Sequence, residues 1–255
     1  MQTHDRTVDE TTLRYLDCIS SATVTTQLFK RGLRNRYLKD VAPIKPGQRM
    51  VGPARTLRYV PMREDIDTLD TLGARSNAQR ALIEDMSPGE VMVIDAMGQT
   101  GAGSLGSILA RRLQVIGAAG IVTDGAYRDT PGIRELAIPT YARGENGNTN
   151  LTLYHPADYD LTIGCGGVMV EKGDYVLGDD EGVVVIPRHL VVEVAHDAFE
   201  QEVRERFIDR RVGEGASVFE VYPLSAEADA AYRALRARVD PFAYLDGELD
   251  GDRVG

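Results

Sequence analysis

The sequence contains no tryptophan and only two cysteines, Cys18 and Cys165. Two thiols cannot form a disulfide framework or a cysteine-based zinc site. Neither lies beside a local catalytic pattern, so both are expected as small buried residues. Histidine is scarce as well. His189 and His196 are seven apart rather than at the i,i+4 spacing of a helical metal pair, and His155 precedes a proline in an expected loop, so none is expected to bind metal. Positive charge is short: 29 Lys and Arg face 39 Asp and Glu, a net charge of −10. That balance argues against a general nucleic-acid binder, although it leaves the local distribution of charge open. No apolar run approaches the roughly 20 residues of a membrane span, and the N-terminus shows no signal-peptide pattern. A cytoplasmic protein with no membrane and no nucleic-acid partner is the expectation.

What is present is a chain of 255 residues, 43% hydrophobic and 27% charged, ample for a full core. There is no internal repeat. The pattern divides into a flexible N-terminus (1–10), one main domain (11–222), and a C-terminal helix with a tail (223–255). Residues 103–132 carry the most chemistry. A glycine-rich turn enters a helix in which Leu105, Ile108, Leu109, Leu113 and Ile116 keep the spacing of one buried face. Gly117 and Gly120 then close the helix and open the strand Ile121-Val122-Thr123. The strand runs into Asp124-Gly125 and a turn carrying Arg128-Asp129. The first N–H groups of such a helix can cradle a carboxylate or phosphate. Arg128 can fork onto carboxylate or enolate oxygens, and Asp129 can anchor Mg²⁺ or Mn²⁺ in a shell completed by water and substrate. The same dipeptide could also do no more than close a turn as an exposed ion pair.

Further landmarks follow in order: Gly52-Pro53-Ala54-Arg55-Thr56, Pro88-Gly89-Glu90-Val91-Met92-Val93-Ile94-Asp95, Gly106-Ser107-Ile108-Leu109, Asp124-Gly125-Ala126-Tyr127-Arg128-Asp129, Gly166-Gly167-Val168, and the run from Gly173-Asp174 to Ile186-Pro187. Together they resemble the RraA-like family (regulator of ribonuclease activity A), which includes the class II 4-hydroxy-4-methyl-2-oxoglutarate aldolases. The resemblance spans roughly residues 15–222, and residues 61–87 resemble a longer branch. It implies an α/β fold, the layered β/β/α swivelling, phosphohistidine-domain-like arrangement with flanking N- and C-terminal helices, usually assembled as trimers or hexamers. It also implies a divalent metal, Mg²⁺ or Mn²⁺, on Asp129, and a small anionic 2-oxo acid as substrate. Ser107 departs from the pattern, which has an acid at that position.

Elsewhere the periodicity predicts a helix over 11–33 broken at Ser20-Ser21, a strand over 55–59, a helix over 77–84, a buried strand at 91–95, and a short strand at 138–141. Residues 143–150 read as a loop that either folds over a ligand or is simply mobile, and 161–187 as paired short strands whose tip, Asp179-Asp180-Glu181, faces solvent or, in an oligomer, reaches into a neighbour's site. Glu64, Asp65, Asp67 and Asp70 read as a solvated acidic face. A charged amphipathic helix is predicted over 190–212 and an alanine-rich helix over 226–239, stopped by Asp240-Pro241.

The expected activity is carbon–carbon cleavage of a 4-hydroxy-2-oxo acid to release pyruvate, or oxaloacetate decarboxylation, both through a pyruvate enolate. The substrate carboxylate would lie among Gly106, Ser107, Ile108 and Leu109. Arg128 and Asp129 would serve catalysis, and Asp95, Asp124 or an acid from another subunit would position the base. Two alternatives belong to other classes: a non-catalytic ribonuclease-regulating protein, and a dehydratase acting on sugar-acid-derived keto acids.

Overall fold

The computed structural model describes residues 8–247; the predicted N-terminal fray and C-terminal tail fall partly outside that range. Helix α1 (Glu10–Cys18) starts where the Asp9 carboxylate accepts from the Thr12 N–H. Helix α2 (Ser21–Lys30) restarts at Ser20, whose hydroxyl caps Thr23. The predicted break is thus a second N-cap. Next come strand β1 (Ala42–Pro43), the long strand β2 (Met50–Pro61), and helices α3 (Leu69–Gly73) and α4 (Ala78–Asp85). They are followed by β3 (Val91–Asp95), β4 (Gly103–Leu105), α5 (Ser107–Ile116), β5 (Gly120–Thr123), β6 (Ala126–Tyr127) and α6 (Thr130–Arg134). Strands β7 (Thr140–Ala142), β8 (Gly144–Glu145), β9 (Tyr154–Tyr159), β10 (Ile163–Cys165), β11 (Val168–Val170), β12 (Tyr175–Gly178) and β13 (Val183–Ile186) complete the β-structure. The chain then runs through α7 (Val191–Gly213), α8 (Val218–Val221), α9 (Ala226–Arg236) and α10 (Pro241–Leu245).

The main sheet has the order β1-β7-β5-β3-β2-β12-β13. Its centre, β2, β3, β5 and β7, is parallel, as expected of runs such as Val91–Ile94 that are buried on both faces. The other edge of β2 is shared by β12 and β9, both antiparallel to it. One face, with Ala54, Val91, Val93 and Val122, is covered by the β10–β11 hairpin through Ile163, Cys165, Val168 and Val170. The opposite face, with Leu57, Met92, Ile94 and Ile121, packs on α4 and α5 through Leu82, Ile83, Ala110 and Leu113. Leu177, Val184 and Ile186 of β12 and β13 pack instead on α1, α2 and α7. This is a β/β/α layering.

Several expectations need correction. Asp179 does not face solvent: its carboxylate accepts from the N–H and hydroxyl of Ser21 and from the Glu181 N–H, joining the hairpin tip to the start of α2. Asp67 is not part of a solvated face either, because its side chain is only 4% exposed and lies 2.6 Å from His155 Nδ1. His155 is in strand β9 rather than a loop. Pro241 begins α10 rather than a tail; Phe242 stacks on Tyr15 and Phe199, closing this helix onto α1 and α7. Residues 143–150 are tied down by β8 and by the Asn146 and Asn148 side-chain amides, which donate to Thr100 O and Gly101 O.

Candidate active site

A third, small sheet builds the site. Strands β4, β6 and β8 run parallel, with Gly103 opposite Ala126 and Leu105 opposite Tyr127. Parallel pairing sends the continuations of both strands out at the same end. One continuation is the start of α5; the other is Arg128-Asp129. The predicted single turn after β5 therefore contains a strand of its own. Ser104 locks it, since its carbonyl accepts from Tyr59 Oη at 2.8 Å and Gln79 Nε2 at 2.9 Å, while its hydroxyl donates to Ala126 O at 3.0 Å.

Two glycines admit the functional pair. A Cβ on Gly103 would stand 2.7 Å from Arg128 Cβ and 2.8 Å from Arg128 N; one on Gly106 would stand 2.8 Å from Asp129 Oδ2. Gly106 caps α5 without a side-chain hydrogen bond. The first N–H groups of α5 thus open onto the space beside Arg128. Asp129 adopts a left-handed backbone (φ 56°, ψ 33°), which Asp tolerates better than most residues. Its carbonyl accepts from Gly132 and Ile133, but its carboxylate does not cap α6 and has only Arg128 Nε nearby, at 3.5 Å. Arg128 Nε is buried without a hydrogen bond, and the rest of that half-exposed guanidinium has no partner among the described residues.

The resulting cleft, of about 310 Å³, is lined by the Gly103–Gly106 segment, Ile108, Leu109, Arg128 and Asp129, with Leu72, Gln79 and Arg80 on one side and Thr149 and Asn150 on another. Ile108 is 81% exposed, against the expectation of a buried residue, because Ala110 and Leu113 form the core-facing line and Ile108 falls on the cleft rim. Ser107 lies beside this space, facing α6 at Gly132.

Asp124 and Asp95 are not brought into the cleft. Asp124 is buried and accepts from the backbone N–H groups of Ala96, Gly98 and Gly166 at 2.8–3.2 Å, an arrangement that ties three loops together. Asp95 accepts from Met97 at 2.9 Å and Gly164 at 3.4 Å. Burial pushes its carboxyl above the usual range, against the Met97 hydrogen bond and with help from the Asp124 charge. Sequence reasoning missed Gln79, Arg80, Thr149 and Asn150. The helix carrying the first two was legible, but its packing beside α5 leaves no local pattern.

Asp129 is the only carboxylate lining the cleft, and no group of three or more His, Cys, Asp or Glu able to hold a metal occurs among the described residues. A cage built wholly from protein ligands is thus not on offer. A hard ion that keeps most of its waters needs only one or two carboxylates, and the uncapped Asp129 fits that limited demand for Mg²⁺ or Mn²⁺.

Fold and cleft define an α/β protein in which a helix N-terminus meets the Arg128–Asp129 pair, 3.5 Å apart and with no other side-chain partner among the described residues, at one small cleft. The chain belongs to the RraA-like family: residues 20–185 match the family model described as Aldolase/RraA. A protein of Halalkalibacterium halodurans named "Putative 4-hydroxy-4-methyl-2-oxoglutarate aldolase" is 30% identical over 200 residues, covering 75% of this chain and 84% of that one. The crystal structure of Streptomyces coelicolor RraAS2, described as an unusual member of the RNase ES inhibitor RraA protein family, is 36% identical, with a TM-score of 0.70 over 78% of this chain and 96% of that one. A Pseudomonas syringae pv. tomato protein at 23% identity shares the fold, with a TM-score of 0.72 over 83% of this chain and 96% of that one.

Proposed function

We propose that this protein is a divalent-metal-dependent carbon–carbon lyase acting on 2-oxo acids, by aldol cleavage of a 4-hydroxy-2-oxo acid to release pyruvate, by oxaloacetate decarboxylation, or both. The observation that carries this reading is the meeting of the uncapped α5 N-terminus with Arg128 and Asp129, whose charged groups, among the described residues, pair with nothing but each other. The substrate 1-carboxylate is held by the N–H groups of Ile108 and Leu109. Arg128 forks onto the 2-oxo oxygen. In aldol cleavage the 4-hydroxyl loses its proton, the C3–C4 bond breaks, and C4 leaves as a carbonyl. The electron pair moves toward the 2-oxo oxygen, where the guanidinium is already placed to stabilise the growing charge; protonation at C3 then gives pyruvate. In decarboxylation the same pair comes from the bond to the departing carboxylate. Asp129 would hold Mg²⁺ or Mn²⁺, which would supply Lewis-acid chemistry at the 2-oxo group. Among the described residues no cleft-lining side chain other than Asp129 is a carboxylate, so the 4-hydroxyl proton passes to water or to a carboxylate from another subunit of a trimer or hexamer.

A coupled assay of pyruvate release from oxaloacetate and from a 4-hydroxy-2-oxo diacid, with Mg²⁺ and after chelation, tests the reading. Turnover abolished by chelation and restored by Mg²⁺ is expected. The resemblance to RraAS2 favours a second reading, a ribonuclease-regulating protein; the absence of turnover across a panel of keto acids, together with direct ribonuclease binding, would establish it instead.

A further inference from the structure

Around helix α8 the chain presents an apolar knob that its own fold does not cover. Phe219 is 92% exposed, Tyr222 65% and Val218 54%, whereas Val221 between them is buried. The knob is held in shape by local bonds. Ser217 Oγ accepts from Phe219 N at 3.3 Å, Tyr222 N donates to Val218 O at 2.8 Å, and Ser225 N donates to Glu220 O at 2.8 Å. The Glu220 carboxylate has no hydrogen-bond or ion-pair partner among the described residues. Arg210 and Arg211, which line a hollow together with it, bond to Glu214 instead.

Helix α2 borders a feature of the opposite kind, a groove of about 440 Å³ lined by Thr26, Phe29, Leu33, Arg34, Arg36 and Tyr37 among others, with no carboxylate. Phe29 is 60% exposed, and the guanidinium carbon of Arg34 lies 5.6 Å from its ring centroid. Arg36 donates to Met169 O at 3.4 Å, but Arg34 has no hydrogen-bond or ion-pair partner among the described residues. Knob and groove are neighbours. Thr26 lines both the groove and the next hollow along α2, which Tyr222 and Pro223 also line. An aromatic knob with a free acid thus stands beside an aromatic groove with a free base.

We propose that this face joins two copies of the chain through a two-fold contact. Phe219 of each copy enters the groove beside Phe29 of the other, and Glu220 pairs with Arg34 in both directions. A second copy is the occupant because both complementary halves stand side by side on one chain. That is the self-complementary arrangement a two-fold axis needs, whereas a different partner would need only one half. Clustered exposed aromatics mark such contacts, and the opposite charges fix their register. None of these residues lines the Arg128 cleft, and the knob lies outside residues 20–185, so the contact depends on a part of the chain that the family model does not cover.

Particle mass measured by sedimentation velocity over a range of protein concentrations tests this contact. Phe219→Asp is expected to halve the wild-type mass, or to raise the concentration at which that mass is reached by about tenfold or more, with an unchanged far-UV circular dichroism spectrum. Arg34→Glu and Glu220→Arg, both at exposed positions, should each weaken the contact in the same way. The chain carrying both charge reversals should regain the wild-type mass, a rescue that general destabilisation would not produce. A wild-type mass that none of the single substitutions changes, or a double variant as dissociated as the single ones, overturns the proposal. Slow hydrogen exchange across residues 217–222 in a wild type no heavier than Phe219→Asp would put another part of the same chain over the knob, and overturns it too.

Discussion

Arg128 is positioned by its backbone, not by its charge. Its N–H donates to Leu105 O at 3.1 Å, and its Cβ and Cγ occupy the space that Gly103 leaves open. Truncating the side chain should therefore spare the fold. Arg128→Ala is expected to lower kcat/KM a hundredfold or more, about 3 kcal/mol of transition-state stabilisation, with wild-type melting. Asp129→Ala should abolish activity together with any dependence on Mg²⁺, and calorimetric Mg²⁺ titration checks the second half of that statement. If both variants unfold and activity falls only in proportion, the pair is structural. Ser107 raises a separate question. It stands at the first position of α5, facing Gly132, and brings no charge to a helix end that favours an anion. Lacking a carboxylate there, wild type is expected to decarboxylate oxaloacetate more readily than it cleaves a 4-hydroxy-2-oxo diacid, because decarboxylation removes no hydroxyl proton. Ser107→Asp should raise cleavage relative to decarboxylation and tighten Mg²⁺ binding. Steady-state kinetics of both reactions on both proteins decide it; a wild type already efficient in cleavage and unimproved by the substitution would refute this account.

Elements explain what was legible and what was not. Helix α5 could be read from its stop glycine and from Leu109, Leu113 and Ile116, but not from the whole expected face, since Leu105 lies in β4 and Ile108 on the cleft rim; Gly117 takes the left-handed C-cap (φ 88°) that glycine spacing announces. Strand β3 was equally clear, since four successive apolar residues suit a strand covered on both sides. The two-residue strands β6 and β8 were not legible: they carry too few residues for any period, and only the pairing of β8 with β6 and of β6 with β4 defines them. That pairing is what brings Arg128-Asp129 level with the α5 N-terminus. For the same reason Asp95 and Asp124, although rightly placed at strand ends, could not be told from loop anchors until their N–H partners were seen. The two glycines of this element make a paired prediction. An added methyl at Gly103 meets the Arg128 backbone, which cannot move without breaking β4–β6, so Gly103→Ala should cost about 1–3 kcal/mol in denaturant unfolding. At Gly106 the obstacle is the end of the Asp129 side chain, which can swing away. Gly106→Ala should therefore melt like wild type yet lose tenfold or more in kcat/KM. Equal melting of the two variants would argue against this geometry.

At the scale of the whole molecule, the excess of acid is partly organised around one buried cation. Arg55, 5% exposed, is held by both oxygens of Asp160 at 2.8 and 2.9 Å, by Asp85 at 2.6 Å and by Glu90 at 3.1 Å, while Lys172 reaches Asp160 at 2.6 Å. The cluster joins β2 to the turn after β9, to the end of α4 and to the loop before β3. Removing the cation leaves three acids together around a desolvated space, so Arg55→Ala should cost about 3 kcal/mol or more in stability. The pH dependence has a definite sign. Burial alone would raise the Asp160 carboxyl, but the hydrogen bonds from Arg55 and Lys172 prevail and hold it below the usual carboxylate range. A carboxyl lowered on folding contributes stability that is present above its unfolded value, near pH 4, and is lost as pH falls through the folded one. Asp95 and Asp174 act with the opposite sign, since burial holds both above the usual range, and each loses stability as pH rises through that interval. Taking the difference between wild type and Arg55→Ala cancels those two contributions and leaves that of the carboxylates around Arg55, Asp160 among them. Urea unfolding from pH 7 down to pH 3 should show the stability gap between the proteins narrowing below about pH 4 as Asp160 protonates. A gap that stays constant through that window would mean that Asp160 is not held down by Arg55, and that the cost of the substitution comes from lost packing instead.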